Sequence, residues 1–128
     1  MSRGLADTTV FIAHESGRPL QADSLPDEIG VSVITIGELR AGVLSAADFE
    51  TRDRRLTTLT QALALEPIPI DSGVADSWAR LRLLLRDSQQ RMPVNDSWIA
   101  ATALALGIAV VTQDDDYVDV PDLAVIRV

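Results

Sequence analysis

The 128-residue chain is 47% hydrophobic and 23% charged, the balance of a single globular domain long enough to bury a core. Its 19 acidic residues outnumber 11 basic ones for a net charge of -8; every basic residue is Arg, and there is neither Lys nor Cys. That inventory excludes disulfides, thiolate metal sites, the P-loop lysine, Schiff-base catalysis and lysine-dependent aspartyl-phosphate chemistry, and it argues against holding nucleic acid through bulk basicity.

No run approaches the roughly 18 apolar residues of a membrane span. Met1-Ser2-Arg3-Gly4 leads straight into the first predicted strand with no room for a cleavable signal peptide, so a cytoplasmic location is expected. That strand covers about residues 4–7 and stops on Asp7, and a short helix runs from Thr8 to about His14. Gly17-Arg18-Pro19 is a turn, followed by a weak helical piece around 21–28. The β-branched run Val31-Ser32-Val33-Ile34 reads as a second strand. Thr35 then caps a helix, with Glu38 three residues on in the capping-box position and Ile36, Leu39 and Val43 on one face.

A further helix starts near Ala47, with Phe49, Leu56, Leu59 and Leu63 at helical spacing and Arg52, Arg54 and Arg55 on its other face. Pro67-Ile68-Pro69-Ile70 is a short third strand whose prolines suit a sheet edge. Asp71 or Ser72 caps an amphipathic helix with Val74, Trp78, Leu81 and Leu85 on its stripe. The next helix runs from about Asn95 or Asp96 to Leu106, with Gly107 closing it. Residues 108–112 form a buried fourth strand and 123–126 the last. Alternating strands and helices predict a mainly parallel α/β sheet of five strands, order 3-2-1-4-5, with helices on both faces and one domain over 1–128.

Ligands of open α/β sheets sit outside the carboxyl ends of the strands. Asp7 ends the first strand there, Asp114 follows the fourth, and Glu38 lies in the first turn after the second. Asp96 starts the helix before strand 4, which topology places at the opposite end unless its loop crosses over. Each acid has a plain structural explanation: Asp96 or Asn95 as N-cap, Glu38 as capping partner, Asp114-Asp115-Asp116 as a solvated loop. Asp7 has few structural duties in that place. If they converge, two carboxylates about 4 Å apart repel by roughly 4 kcal/mol at an effective dielectric near 20. A cation is then needed to keep them ionised, and an all-oxygen set suits Mg²⁺ or Mn²⁺ handling a phosphate.

Four stretches taken together resemble the PIN-domain family, specifically the VapC-type toxins of toxin–antitoxin pairs. They are Asp7-Thr8-Thr9, Thr35-Ile36-Gly37-Glu38-Leu39, Asn95 to Ala103, and Val111-Thr112-Gln113-Asp114-Asp115-Asp116-Tyr117. The resemblance implies a metal-dependent endoribonuclease that cleaves structured RNA such as tRNA or rRNA. It implies Asp7, Glu38, Asp96 and Asp114 as catalytic ligands of Mg²⁺, with Mn²⁺ able to substitute, and Thr8 and Thr112 as supporting hydroxyls. It also brings Asp96 to the strand edge. Asp116 is a further candidate ligand, and the choice among 114, 115 and 116 stays open. Implied partners are the RNA substrate, a cognate small antitoxin whose tail lies over the helices, and a second copy of the chain as homodimer, with no membrane.

Two other functions are compatible with the residues: a non-catalytic α/β partner-binding module, and an aspartate-dependent phosphohydrolase using Asp7 as nucleophile. The absence of Lys weighs against the second. His14, the single histidine, reads as a solvated turn residue, and Trp78 and Trp98 as core residues. The Arg52/Arg54/Arg55 cluster reads as a wet helix face before it reads as an RNA contact.

Overall fold

The computed structural model describes residues 2–117 and 119–128. Four parallel strands, β1 (Arg3–Ala6), β2 (Glu28–Gly30), β3 (Ala109–Thr112) and β4 (Val125–Arg127), form one sheet in the order β2-β1-β3-β4. Five helices surround it: α1 (Thr8–Ser16), α2 (Val33–Leu44), α3 (Phe49–Leu63), α4 (Ser72–Asp87) and α5 (Val94–Leu106). The weak helical piece after the first turn is a single 3-10 turn, Ala22–Ser24. No helix among the described residues is long and apolar enough to cross a membrane.

Side chains alternate across a strand, so β1 serves two faces. Leu5 packs with Ile99 and Ala103 of α5 and with Val110, while Ala6 packs with Val10 of α1, Val111 and Val128. Layers outside these follow from amphipathic stripes. Leu39 and Val43 of α2 meet Leu59 and Ala62 of α3, and Leu81 and Leu85 of α4 meet Ala100 of α5.

The expected fifth strand at Pro67–Ile70 is not formed. Ile68 alone bridges the sheet, its amide donating to the Val31 carbonyl (2.8 Å) and its carbonyl accepting from the Val33 amide (3.1 Å). Pro67 and Pro69 on either side have no N–H, so the ladder stops after one residue. Removing that strand leaves the predicted order otherwise intact.

The second strand is also displaced, to Glu28–Gly30, and Val33 is already helical. Ser32, not Thr35, caps α2: its hydroxyl accepts from the Ile34 amide at 3.0 Å. The β-branched run at 31–34 is not a strand because the Ser32 side chain caps the helix there, and that bond outweighs propensity. Asp71 caps α4 as expected, and Gly17 and Gly107 close α1 and α5 with φ of 74° and 67°. His14 is exposed in the last turn of α1.

Gly4 marks the tightest point of the sheet. A Cβ there would lie 2.6 Å from Val111 Cγ2 and 2.8 Å from Pro26 Cγ. Gly4→Val therefore is expected to destabilise the fold by about 1–3 kcal/mol through overpacking. A lowered urea midpoint with an unchanged slope is the measurement that checks it.

Candidate active site

Asp7 is the last residue before α1 and caps it: its Oδ1 accepts from the Thr9 amide at 3.0 Å. The carboxylate thus has a structural duty that the sequence did not reveal. It also accepts from the Thr9 hydroxyl, and its other oxygen accepts from Thr112 Oγ at 2.6 Å across the β1–β3 edge. Only 1% of Asp7 is exposed. Burial pushes its carboxyl above the usual range, and the donated bonds from Thr112 and Thr9 pull the other way.

Asp114 follows β3 in a tight loop. Its amide donates to Thr112 Oγ (3.1 Å), and its Oδ1 accepts from the Asp116 amide at the same distance. This loop geometry turns Asp114 and Asp116 inward. Asp115 turns out to pair with Arg127, which also donates to the Gln113 carbonyl. Of the three consecutive Asp residues, 114 and 116 line the cleft.

Asp96 reaches the same edge without any crossover. Only Gly107 and Ile108 separate α5 from β3, so the helix runs back antiparallel to the strand, and its start lies at the strand's carboxyl end. A start at the opposite end unless the loop crosses over, as the strand pattern alone suggests, does not hold; the placement at this edge that the resemblance implies does. Neither Asn95 nor Asp96 is the N-cap; Pro93 occupies that position, and Asp96 sits in the first turn.

Oxygens of Asp96, Asp114 and Asp116 lie within 4.8 Å of one another. Asp7 and Glu38 line the same cleft, a volume of about 460 Å³, but stand outside that cluster. Glu38 is not a capping-box residue. Thr8 Oγ donates to its Oε1 at 2.5 Å and lies 3.1 Å from Thr35 Oγ, tying α2 to the start of α1. Among the described residues no Arg lines this cleft.

The description "PIN domain" matches residues 5–123. The chain belongs to the PIN-domain family. Ribonuclease VapC4 of Mycobacterium tuberculosis is 51% identical over 126 residues, covering 98% of this chain and 97% of the relative. Ribonuclease VapC5 of the same organism is 47% identical over 114 residues, covering 89% and 84%. The crystal structure of VapBC-5 from Mycobacterium tuberculosis, a member of the VapBC family of toxin–antitoxin systems, superposes with a TM-score of 0.92 at 40% identity over 100% of both chains.

Within this PIN domain, sequence reasoning missed Thr9, whose hydroxyl bonds Asp7 and accepts from the Gln113 amide at 3.0 Å. The signal available was partial: an Asp before a helix bonds the backbone amide two residues on, which places Thr9 beside the Asp7 carboxylate. It also passed over the hydroxyl of Tyr117, whose Oη is buried with no hydrogen-bond partner among the described residues. Burial, then the charge of Asp7, raises the Tyr117 pKa and keeps it protonated. Trp78 and Trp98 are half-buried and stacked on each other, with centroids 4.2 Å apart and planes 3° from parallel.

Desolvation first, and then Asp114, push the Asp96 carboxyl up to about 7. At an effective dielectric near 20, two charges about 5 Å apart cost roughly 3 kcal/mol, so three converging carboxylates hold either a proton or a cation. The donor set is all oxygen and carries excess negative charge, which fits a hard divalent cation.

Two outcomes follow from this geometry. In metal-free protein Asp96 keeps its proton up to about pH 7, whereas its ordinary value is 3.8. The native state then binds the extra proton between these limits, so stability falls as pH rises through them. Asp96→Asn is expected to flatten that slope and to raise the melting temperature in EDTA at pH 7.5 by a few degrees, about 1 kcal/mol after allowing for solvent screening. Thr112→Val removes a donor from a buried carboxylate and is expected to cost about 1–3 kcal/mol, read from urea unfolding in EDTA at pH 8.

Proposed function

We propose that this PIN domain is a divalent-cation-dependent endoribonuclease that hydrolyses structured RNA such as tRNA or rRNA, and that it is the toxin of a toxin–antitoxin pair. The observation that carries the reading is the convergence of Asp96, Asp114 and Asp116 at the carboxyl edge of the sheet, beside buried Asp7, with no Arg among the described residues of the cleft to neutralise them. Its relatives are named ribonucleases, which supports the same reaction class.

Asp96, Asp114 and Asp116 would hold the ion, with Asp7 and Glu38 on the same wall; Mg²⁺ is the expected metal and Mn²⁺ a substitute. Bound there, the ion supplies charge stabilisation at a phosphoryl oxygen and a more acidic water. The protein's own contribution is orientation. Thr112 and Thr9 fix both oxygens of Asp7, and Thr8 fixes Glu38 through one oxygen. Asp7 makes a poor nucleophile in this setting, since it is buried and both its oxygens already accept hydrogen bonds. That disfavours the aspartyl-phosphate alternative.

A cognate antitoxin belongs to the same reading, because the similar VapBC-5 structure is of a toxin–antitoxin system. At the turn between α2 and α3, Leu44 and Phe49 are exposed by 70% and 90%, apolar side chains that such a partner would cover. Self-association into a homodimer is part of the same expectation.

Purified protein is expected to cleave RNA with Mg²⁺ or Mn²⁺ and to stop on addition of EDTA. Asp114→Asn should lower the rate by more than about 100-fold, beyond the usual effect of outer partners of a metal site, and Asp7→Asn by about 10–100-fold. Full activity in either folded variant would remove that residue from the site. Cleavage undiminished by EDTA would reject the metal.

A further inference from the structure

A second cavity of about 380 Å³ adjoins the acidic cleft. Arg82, Arg86, Gln90, Arg91 and Ser97 contribute its polar wall and four apolar residues the rest, and among the described residues no carboxylate lines it. Val94 lines both cavities, so the first turn of α5 is the ridge between them, with Asp96 on the acidic side and Ser97 on the basic side. Three of the chain's 11 arginines thus meet in one place, in a protein of net charge -8.

Most arginines of the chain, inside the cavity and outside it, have a partner at the surface. Arg3, Arg54, Arg80 and Arg127 pair with Glu28, Glu15, Asp76 and Asp115, and Arg55 donates to the Gly42 carbonyl at 2.7 Å. In the cavity, Arg86 has only its exposed neighbour Asp87 at 3.3 Å, a pair worth little in water. Arg82 lies over the Trp78 ring, 4.9 Å from its centroid. Trp78 is stacked on Trp98 and donates from Nε1 to Ser97 Oγ at 3.0 Å. This stack sets the position of the basic wall against the same helix that carries Asp96.

We propose that this cavity binds a backbone phosphate of the RNA strand whose neighbouring phosphodiester occupies the acidic cleft. The inference rests on the ribonuclease reading above. A polyanion approaching a chain of net charge -8 is repelled overall, so its path must be set by local cations. Arg guanidinium groups suit phosphate because they donate two parallel hydrogen bonds to its oxygens. Such contacts fix the register of a strand without reading its bases.

The test uses full-length protein, Mg²⁺ and a fluorescein-labelled 12-nucleotide oligouridylate, followed by anisotropy between about 50 and 200 mM NaCl. Each phosphate contact in a single strand contributes about 0.7 to the slope of log K against log salt. R86Q/R91Q is expected to lower that slope by about 0.7, the loss of one phosphate contact, and to weaken binding several-fold, while R86K/R91K keeps most of it. The control R3Q/R52Q makes the same charge change outside the cavity and is expected to leave the slope nearly unaltered.

Equal effects of R86Q/R91Q and R3Q/R52Q would overturn the proposal, as would absence of salt-dependent binding by the unmodified protein. A changed oligomeric state in R86Q/R91Q with an unchanged slope would overturn it in favour of an interface between copies. Because anisotropy does not require turnover, the two readings fail separately. Binding with the expected slope but no RNA cleavage removes the ribonuclease and leaves the phosphate site; cleavage with equal slopes does the reverse.

Discussion

The hydrogen bond from Thr112 to Asp7 joins residues 105 positions apart and ties the carboxyl ends of the two central strands together. Much of the site is built outward from it. The same Asp7 caps α1, so the direction of that helix and the orientation of the carboxylate are fixed by one side chain. The same Thr112 hydroxyl receives the Asp114 amide, which starts the loop that turns Asp114 and Asp116 inward. A buried carboxylate without donors would be costly, and these bonds lower that cost while leaving lone pairs for the cleft.

Charge is divided sharply around the start of α5. One side gathers carboxylates at a spacing that water and protein cannot neutralise without a proton or a cation. The other gathers guanidinium groups with few competing acids. For a phosphodiester substrate the two are complementary: the acidic side needs a cation before a phosphate can approach, and the basic side attracts phosphate directly. An overall net charge of -8 makes the local arrangement decisive, because the long-range field opposes any polyanion.

Much of this was legible in the sequence, and the failures have physical causes. Strand order, the central place of β1 and β3, and the caps at Asp71, Gly17 and Gly107 follow from apolar runs and turn chemistry. The 31–34 segment was misread because β-branched residues signal strand while Ser32 acts through a capping bond that propensity does not register. The fifth strand failed because Pro67 and Pro69 remove the amides it would need. The strand pattern alone points Asp96 to the opposite end, whereas two connecting residues force α5 to run antiparallel to β3 and bring its start to the edge that the resemblance implies. Asp116 gained its place from loop geometry, which spacing along the chain does not specify, and Thr9 from the capping turn that Asp7 makes at the start of α1. The basic cavity was illegible because Arg82 and Arg86 lie on one helix and Arg91 beyond its end, and they meet only once α4 packs on α5.

The claim on which the rest depends is that Asp96 and Asp114 are parts of one cation site. It is tested most directly by titrating Mn²⁺ and following the free ion by electron paramagnetic resonance in the unmodified protein and in Asp96→Asn/Asp114→Asn. The expected result is saturable binding in the first and its loss in the second, with the circular dichroism spectrum unchanged. Undiminished Mn²⁺ binding in the folded double variant would contradict it.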